Sequence, residues 1–258
     1  MPKLAPAFTA RPIAHRALHD AGAGVIENSL TAINRAVRMG YGIEMDLQLS
    51  ADGVPMVFHD DTLDRLTNTT GPVHSRTAQS LCDLQLKGSE DHIPTLAQVL
   101  EHVDGAVPLL IELKDQSGGL GPTDPALEAA TAEALKGYGG DVAVMSFNPY
   151  MVAAMAELAP HLPRGLTTCG YIPSKWPHLS PETCTALRNI VAFDQVGAQF
   201  ISHDWTDLGS PRVAELRAQG VPILCWTITQ AQDEAQARLI ADTVTFEGYL
   251  PPLDPPHD

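Results

Sequence analysis

Residues 41–60 read YGIEMDLQLSADGVPMVFHD, and this stretch decides the fold. Apolar and polar residues alternate from residue 43 to residue 49, which predicts a β-strand. Side chains two positions apart in a strand point the same way, so Glu44 and Asp46 are expected to share one face. Two carboxylates this close repel each other, and a divalent cation such as magnesium, calcium or manganese relieves that repulsion. The alternative is an ordinary solvated strand face with two acidic residues.

The same stretch contains a hairpin signal. Asp52-Gly53 separates two strand-like runs, and this dipeptide favours a tight turn between antiparallel strands. Pairing about the turn joins residues whose numbers add to about 104, which places His59 opposite Met45 and one position from both carboxylates. A slip of one residue would turn the faces over, so this register is an expectation for the structure to test.

Strand-like and helix-like segments alternate through most of the chain, which is the order of a parallel α/β protein. Apart from the hairpin arm, eight strands are predicted, and they end near His15, Asp46, Lys114, Phe147, Thr168, His203, Thr227 and Glu247. Eight strand–helix units in 258 residues predict a TIM (β/α)8 barrel. A doubly wound open sheet is the alternative, but no G-x-G-x-x-G motif follows a strand.

Residues 61–91 interrupt this alternation. The segment follows the hairpin directly and is polar and irregular, so we interpret it as a small insertion into one barrel. No break in composition marks a linker, and residues 1–258 are therefore expected to form a single TIM-barrel domain.

Active sites of such barrels lie at the carboxyl ends of the strands, where several polar residues are predicted to meet. Arg16 offers a planar fork of donors that suits a phosphate group. Glu112 follows an apolar run, so a partly buried carboxylate that needs a cation is expected there. Lys114 would offset phosphate charge. His203 and Trp226 end later strands and are predicted to line the substrate pocket; the alternatives are a histidine satisfied by its neighbours near the mouth and a tryptophan in the core.

Several residues near these motifs have two possible roles each. Either Asn28 or Ser29 would cap the helix that starts there. Glu27 would bind the metal or hold the nearby arginine. Asp60 would orient the adjacent histidine or cap a turn.

The composition excludes some classes of partner. Asp and Glu number 31 against 16 Lys and Arg, so the formal net charge is −15. Nucleic acids and anionic membranes require basic surfaces, so neither is expected as a partner. An anionic small-molecule substrate would need a local positive site, which a metal ion, an arginine or a lysine supplies. No pattern of the sequence encodes the oligomeric state.

The sequence carries no sign of secretion or membrane insertion. Its first residues lack the apolar core of a signal peptide, and no stretch approaches the roughly 18 apolar residues of a membrane span. The four cysteines, at positions 82, 169, 184 and 225, have no C-x-x-C spacing, which is typical of buried thiols in a reducing compartment. A cytoplasmic protein is therefore expected.

Taken together, these motifs resemble the glycerophosphodiester phosphodiesterase family. The similar positions are His15-Arg16, Glu27-Asn28-Ser29, Glu44-x-Asp46, Asp52-Gly53, His59-Asp60, Leu63, Arg65-x-Thr67, Ile93-Pro94-Thr95-Leu96, Ile111-Glu112-Leu113-Lys114, Ser146-Phe147 and Trp226-Thr227. The similarity is dense from residue 13 to residue 114 and sparser from residue 142 to residue 250. Each motif alone is weak, but the set is specific.

The resemblance implies hydrolysis of glycerophosphodiesters, such as glycerophosphocholine or glycerophosphoethanolamine, to glycerol 3-phosphate and an alcohol. It also implies three groups of site residues: Glu44, Asp46 and Glu112 as ligands of magnesium or calcium, Arg16 and Lys114 as phosphate-binding residues, and His15 and His59 as the acid–base pair. The nucleophile would be either water or the substrate's own glycerol hydroxyl, which leads through a cyclic phosphate.

The chain departs from the family pattern at several positions. Ala17 stands where the family usually has glycine, Ile26 where it usually has proline, and Glu247 where its last strand usually offers aspartate. The loop between Leu18 and Val25 is also longer. These differences concern loop shape and head-group choice more than the chemistry.

Two other functions are compatible with the same scaffold. A related metal-dependent phosphodiesterase would act on lysophospholipids or phosphoinositides, and an exposed apolar rim or a basic patch would favour it. A non-catalytic binding module would be expected to lack a histidine or a metal ligand, whereas both histidines and all three carboxylates are present.

Overall fold

The computed structural model describes residues 2–253 of the chain. Its strands are β1 (Ile13–Ala14), β2 (Gly42–Leu49), β3 (Pro55–Val57), β4 (Leu109–Leu113), β5 (Val142–Ser146), β6 (Arg164–Thr168), β7 (Phe200–Asp204), β8 (Ile223–Ile228) and β9 (Thr243–Phe246). Its α-helices are α1 (Leu30–Met39), α2 (Ala78–Cys82), α3 (Leu96–Val103), α4 (Ala126–Ala134), α5 (Pro149–Leu158), α6 (Pro181–Arg188), α7 (Pro211–Ala218) and α8 (Ala231–Ala237). The predicted alternation of strands and helices is confirmed.

Eight of the strands form a closed parallel barrel. They are hydrogen-bonded in the order β1, β2, β4, β5, β6, β7, β8 and β9, and β9 pairs with β1 to close the ring. The predicted TIM barrel is therefore confirmed and the open sheet is excluded. β1 is short, because only Ile13 and Ala14 pair before the chain turns out of the barrel at His15.

The hairpin has the predicted register. β3 runs antiparallel to β2 with Leu47 opposite Val57, so the numbers of paired residues add to 104. The amide of Phe58 donates to the carbonyl of Asp46, which continues the same register one step beyond the strand. The arm therefore returns the chain to the mouth of the barrel just before His59.

The inner face of the barrel changes from apolar to polar along the strand direction. At the amino-terminal end, apolar side chains fill the barrel: Phe8, Ile13, Leu110, Ala143, Met145, Phe200 and Leu224. Phe8 comes from a short 3-10 helix before β1 and is fully buried. On β4, Leu110 of this layer is followed at intervals of two by Glu112 and Lys114, which line a cavity. The gradient therefore places charged groups at the carboxyl ends of the strands.

Side-chain caps fix where two of the helices near the site begin. Ser29 caps α1 by accepting from the amide of Ala32, and Thr95 forms a capping box with Gln98 at the start of α3. Such caps satisfy amides that the first helical turn leaves without a partner. Because Ser29 is the cap, the side chain of Asn28 is left for another role.

Residues 61–91 contain more structure than the sequence predicted. They include α2, and their apolar side chains form a cluster with the hairpin arm: Ile26, Met56, Phe58, Leu63, Val73, Ala78, Leu81, Leu86 and Ile93. The spacing of these residues follows neither the period of a strand nor that of a helix, so the pattern predicted only a polar, irregular insertion.

All four cysteines have free thiols, and all but Cys82 are buried. Within residues 2–253, no helix is both long enough and apolar enough to cross a bilayer.

Gly165 on β6 leaves room for a large ring inside the barrel. A Cβ at this position would lie 2.4 to 2.6 Å from three ring atoms of Phe200, which is fully buried. The Gly165→Ala variant is expected to lose about 1–3 kcal/mol of unfolding free energy, because the packed ring has no space to move away. Urea denaturation followed by circular dichroism would measure this. Gly119→Ala is the matched control, since nothing lies within 4 Å of a Cβ added there. An equal loss in both variants would contradict the prediction.

Candidate active site

A cavity of about 170 Å³ lies at the carboxyl ends of the barrel strands. Eight of the nine residues predicted for the site line it: His15, Arg16, Glu44, Asp46, His59, Glu112, Lys114 and Trp226. They come from distant parts of the sequence and meet because the carboxyl ends of parallel strands share one end of the barrel.

Three buried carboxylates form the centre of the cavity. Glu44, Asp46 and Glu112 each offer an oxygen atom, and these atoms all lie within 4.8 Å of one another. Glu44 and Asp46 share the inner face of β2 as predicted, and the parallel pairing of β2 with β4 sets Asp46 beside Glu112. A compact set of carboxylate oxygens is the donor set that magnesium and calcium prefer.

The cluster carries more negative charge than its neighbours neutralise. Burial, followed by the charges of Asp46 and Glu112, raises the pKa of Glu44 well above its ordinary value. Asp46 behaves differently: burial opposes its ionisation, yet the Lys114 ammonium holds its pKa below the usual range. One carboxylate is therefore stable as an anion while its neighbour tends to keep a proton. A divalent cation would replace that proton, so the residues fit a metal site.

Two cationic side chains lie against the carboxylates. Lys114 Nζ is 2.9 Å from Glu112 Oε1 and 3.5 Å from Asp46 Oδ1. Arg16 donates to Glu27 at 2.8 Å, and its Nε lies 3.7 Å from Asp46 without a hydrogen-bond partner in the described part of the chain. Burial works against both charges, but the surrounding carboxylates raise the pKa of Lys114 and of Arg16. Both side chains therefore remain charged and available to an anion.

Each of the two site histidines is held by a carboxylate through Nδ1. His15 Nδ1 lies 2.7 Å from Glu247 Oε2, and His59 Nδ1 lies 2.8 Å from Asp60 Oδ1. A carboxylate only accepts, so Nδ1 carries the hydrogen in both rings and Nε2 is left for proton exchange. Of the two interpretations of Asp60, the structure favours the one that orients the histidine. Glu247 does the same for His15.

The environment of His59 favours the neutral ring. Burial is the largest cause of its lowered pKa, and the charges of Lys114 and Arg16 act in the same direction. Asp46 and Asp60 act against them without reversing the shift. A histidine whose pKa lies below 6.5 is mostly unprotonated at pH 7 and can accept a proton there.

Arg65 ties the segment after the hairpin to the loop after β1. Its guanidinium donates to Glu27 at 2.7 and 2.8 Å and to Asp60 at 2.6 and 2.8 Å. Although burial acts the other way, Arg65 lowers the pKa of Asp60 to about 2, so the carboxylate that holds His59 is ionised. Glu27 contacts two arginines and lies outside the carboxylate cluster, which favours the interpretation that it holds Arg16.

Asn28 belongs to the site, although the sequence suggested only a capping role for it. Its side-chain amide donates to Asp46 Oδ2 at 3.0 Å, and the residue is 2% exposed. Asn28, Arg16 and Ala17 have φ angles of 59°, 49° and 65°, a left-handed conformation that residues other than glycine rarely adopt. The backbone of Ala17 explains why glycine suits that position. In the sequence, the Glu27-Asn28-Ser29 motif was the signal for this residue. The motif did not distinguish a helix cap from a side chain of the site.

Three hydroxyl groups of the cavity wall were not predicted. Thr167, Ser202 and Thr245 are buried, line the cavity, and have no hydrogen-bond partner for their hydroxyl oxygens within residues 2–253. A buried hydroxyl without a partner is costly, so these groups are expected to bind water or substrate. In the sequence, the only sign of these hydroxyl groups was a polar residue at an inward position of β6, β7 and β9. Such a residue by itself indicates no particular chemistry.

Trp226 and His203 were both predicted to line the pocket, and only Trp226 does so. The indole Nε1 of Trp226 donates to the carbonyl of Ser202 at 3.0 Å. His203 is 1% exposed, lies outside the cavity, and contacts Thr168 and Asp207 through its two ring nitrogens at 2.8 and 3.3 Å. The reason is strand alternation: Ser202 faces inward, so the next residue faces the opposite way.

Known proteins with similar sequences and folds point to one family. The glycerophosphoryl diester phosphodiesterase family matches residues 15–246. A protein from Caldanaerobacter subterraneus named glycerophosphodiester phosphodiesterase is 36% identical over 219 residues, which are 81% of this chain and 83% of that protein.

Solved structures share the barrel over nearly its whole length. A glycerophosphodiester phosphodiesterase from Agrobacterium tumefaciens has a TM-score of 0.67 and 26% identity, covering 95% of this chain and 96% of the other. A phosphodiesterase from Oleispira antarctica, solved with its product sn-glycerol-3-phosphate, has a TM-score of 0.76 and 24% identity, covering 93% and 94%. The family match and the 36% identical relative confirm the resemblance seen in the motifs, and this chain belongs to the glycerophosphoryl diester phosphodiesterase family of enzymes.

Proposed function

We propose that the protein hydrolyses glycerophosphodiesters, such as glycerophosphocholine or glycerophosphoethanolamine, to glycerol 3-phosphate and an alcohol. The observation that carries the proposal is a pair of carboxylate-held imidazoles at one cavity that also contains three carboxylates and two cations. The name of the relative that is 36% identical over most of both chains supports the same activity.

The charges of the site suit a phosphodiester. Such a substrate is an anion that repels nucleophiles, and Arg16 and Lys114 would offset its charge as the reaction proceeds. Glu44, Asp46 and Glu112 would hold magnesium or calcium, which when bound supplies further positive charge to the phosphoryl oxygens. Arg16 would reach the phosphate through the Nε that lacks a partner in the described residues.

The two histidines would divide the proton transfers. Because its pKa is lowered, His59 is neutral near pH 7, and its Nε2 would accept a proton from the nucleophile. His15 would donate a proton to the leaving alcohol through Nε2, and the hydrogen bond from its Nδ1 to Glu247 would orient the ring. The nucleophile is water or the glycerol hydroxyl of the substrate, and either one needs the same base.

The surroundings of the site suit a free small molecule. A cavity of about 170 Å³ accommodates a compact polar group, and the net charge of −15 disfavours polyanionic partners. We further propose that residues 1–258 act as one domain, with the segment 61–91 supporting the hairpin that carries His59.

Removing either histidine is expected to lower kcat much more than it raises KM. His59→Ala and His15→Ala should each lose about 10²- to 10⁴-fold in kcat, because proton transfer is lost while the phosphate-binding cations remain. The measurement is glycerol 3-phosphate release from glycerophosphocholine, coupled to glycerol-3-phosphate dehydrogenase. His161→Ala is the matched control, since His161 is exposed and far from the cavity lining. A histidine variant that keeps its kcat within about threefold of the parent would remove that residue from the proposed mechanism.

Metal binding is expected to stabilise the fold in a way that depends on pH. The pKa of Glu44 is raised in the folded state, so its contribution to stability is present below about 4.5 and is lost as pH rises through the folded-state pKa. Melting temperatures of chelated protein should therefore fall as the pH rises above about 4.5, and magnesium or calcium should restore them most at the upper end of the pH range.

The Glu44→Gln variant distinguishes the contribution of Glu44 to this pH dependence from the contributions of other buried acids. Glu128 also has a pKa raised by burial, to about 7, and it remains in both proteins, so the difference between parent and variant isolates Glu44. The chelated variant should show a smaller fall with pH and little response to metal. Glu133→Gln, at a side chain 71% exposed, is the control that should behave like the parent. Equal stabilisation of parent and Glu44→Gln by metal would exclude Glu44 as a ligand.

A further inference from the structure

A second histidine lies against the carboxylate that holds His15. His19 Nε2 is 3.5 Å from Glu247 Oε2, the same oxygen that lies 2.7 Å from His15 Nδ1. His15 lines the catalytic cavity, whereas His19 and Glu247 lie outside its lining. One carboxylate oxygen beside the cavity therefore faces two imidazole rings.

The nitrogen of His19 that faces Glu247 has no hydrogen-bond partner within residues 2–253. This Nε2 atom is buried, although the side chain as a whole is 21% exposed. A buried polar atom without a partner is costly. A carboxylate only accepts hydrogen bonds, so its proximity favours the tautomer of His19 with the hydrogen on Nε2. A small movement of the ring would then let His19 donate to Glu247.

The loop that carries His19 is anchored on both sides of this residue. Before it, the amide of Ala17 donates to the carbonyl of Glu44 at 2.9 Å, which ties the loop to β2. After it, Asp20 and Val25 exchange two backbone hydrogen bonds, at 2.8 and 3.0 Å, which close the loop on itself. The position of the His19 ring is therefore set by backbone contacts that do not involve Glu247.

Glu247 has a fixed backbone but a side chain that needs to be held. Its amide donates to the carbonyl of Ile228 at 2.9 Å, whereas its side chain is 34% exposed and has three rotatable bonds. Interaction with His15, and next with His19, lowers the pKa of Glu247, although burial acts the other way. The carboxylate is therefore an anion, and rotation toward water would take the acceptor away from His15 Nδ1.

We propose that His19 is a positioning residue that donates from Nε2 to Glu247, holds this carboxylate against His15 Nδ1, and so aims Nε2 of His15 into the catalytic cavity. The proposal rests on the function proposed above, in which His15 protonates the leaving alcohol. His19 itself touches no reacting group. The loop from Leu18 to Val25 is longer than in the family, and Glu247 replaces its usual aspartate. The two departures meet in this one contact.

The first test compares His19→Leu with His19→Gln. Leucine cannot donate a hydrogen bond, whereas the side-chain amide of glutamine can donate to Glu247 in place of Nε2. For glycerophosphocholine, His19→Leu is expected to lower kcat about tenfold, as for one lost hydrogen bond to a charged group, and to leave KM within about twofold. His19→Gln should restore kcat to within about threefold of the parent. An unchanged kcat in His19→Leu, or equal losses in both variants, would overturn the inference.

The same two substitutions at His74 are the matched controls. His74 is exposed and lies outside the catalytic cavity, so neither variant should change kcat or KM by more than about twofold. Circular dichroism and melting temperatures would show that each variant is folded. His19→Met, which also lacks a donor, replaces His19→Leu if that protein does not fold.

A double-mutant cycle tests whether His19 acts through Glu247. Glu247→Ala removes the shared carboxylate, so adding His19→Leu to it should lower kcat by less than about twofold further. A structural role of the loop would persist without the carboxylate. The full tenfold loss in both backgrounds would therefore overturn the inference.

A measurement without turnover separates this inference from the proposed function. The hydrogen on His15 Nδ1, held by a carboxylate, should give a low-field proton NMR signal in the chelated parent, assigned by its loss in His15→Ala. We expect His19→Leu to broaden or shift this signal and His19→Gln to retain it. An unchanged signal in His19→Leu would overturn the inference. The expected change in a protein that hydrolyses no glycerophosphodiester with any metal would support the positioning role and refute the proposed function.

Discussion

Repulsion among three carboxylates buried at the mouth of the barrel is the constraint on which the rest of the site depends. Glu44, Asp46 and Glu112 are withdrawn from water and lie close enough to share one cation. In a low-dielectric site like charges at this distance are costly unless positive charge is placed among them. Lys114 and Arg16 supply part of that charge, while burial and the charges of Asp46 and Glu112 raise the pKa of Glu44. The positive charge of a divalent ion would relieve the same repulsion.

The barrel supports this arrangement because its apolar and polar layers are separated along the strand direction. The closed ring fixes the relative heights of Asp46 and Glu112 through backbone pairing, without relying on either side chain. The two histidines are held by carboxylates instead. Glu247, which follows the last strand, holds His15, and Asp60, which lies outside the barrel, holds His59. Arg65 links Asp60, which holds His59, to Glu27, which holds Arg16, so a displacement of the hairpin arm would also disturb Arg16.

Two neighbouring cavities differ in their lining, and Phe147 and Thr167 line both. The cavity that contains the three carboxylates is small and polar, and its residues are positioned by inward-facing strand positions. The second cavity is larger and uncharged, and it is bounded by helices and the connecting stretch after α6. Loops and helix faces of a barrel can vary without disturbing the strands that carry the carboxylate cluster.

The sequence by itself determined the strand that carries Glu44 and Asp46, the hairpin that returns His59 to them, and the eight-stranded barrel. These features depend on short-range periodicity and turn chemistry, which are written in neighbouring residues. Only the tertiary structure decided that Asn28 contacts the carboxylate cluster rather than capping a helix, and that His203 faces away from the cavity. It also decided the apolar cluster of residues 61–91 and the second cavity. The physical reason is that these contacts join residues from distant segments, whose side-chain directions are fixed only when the barrel closes.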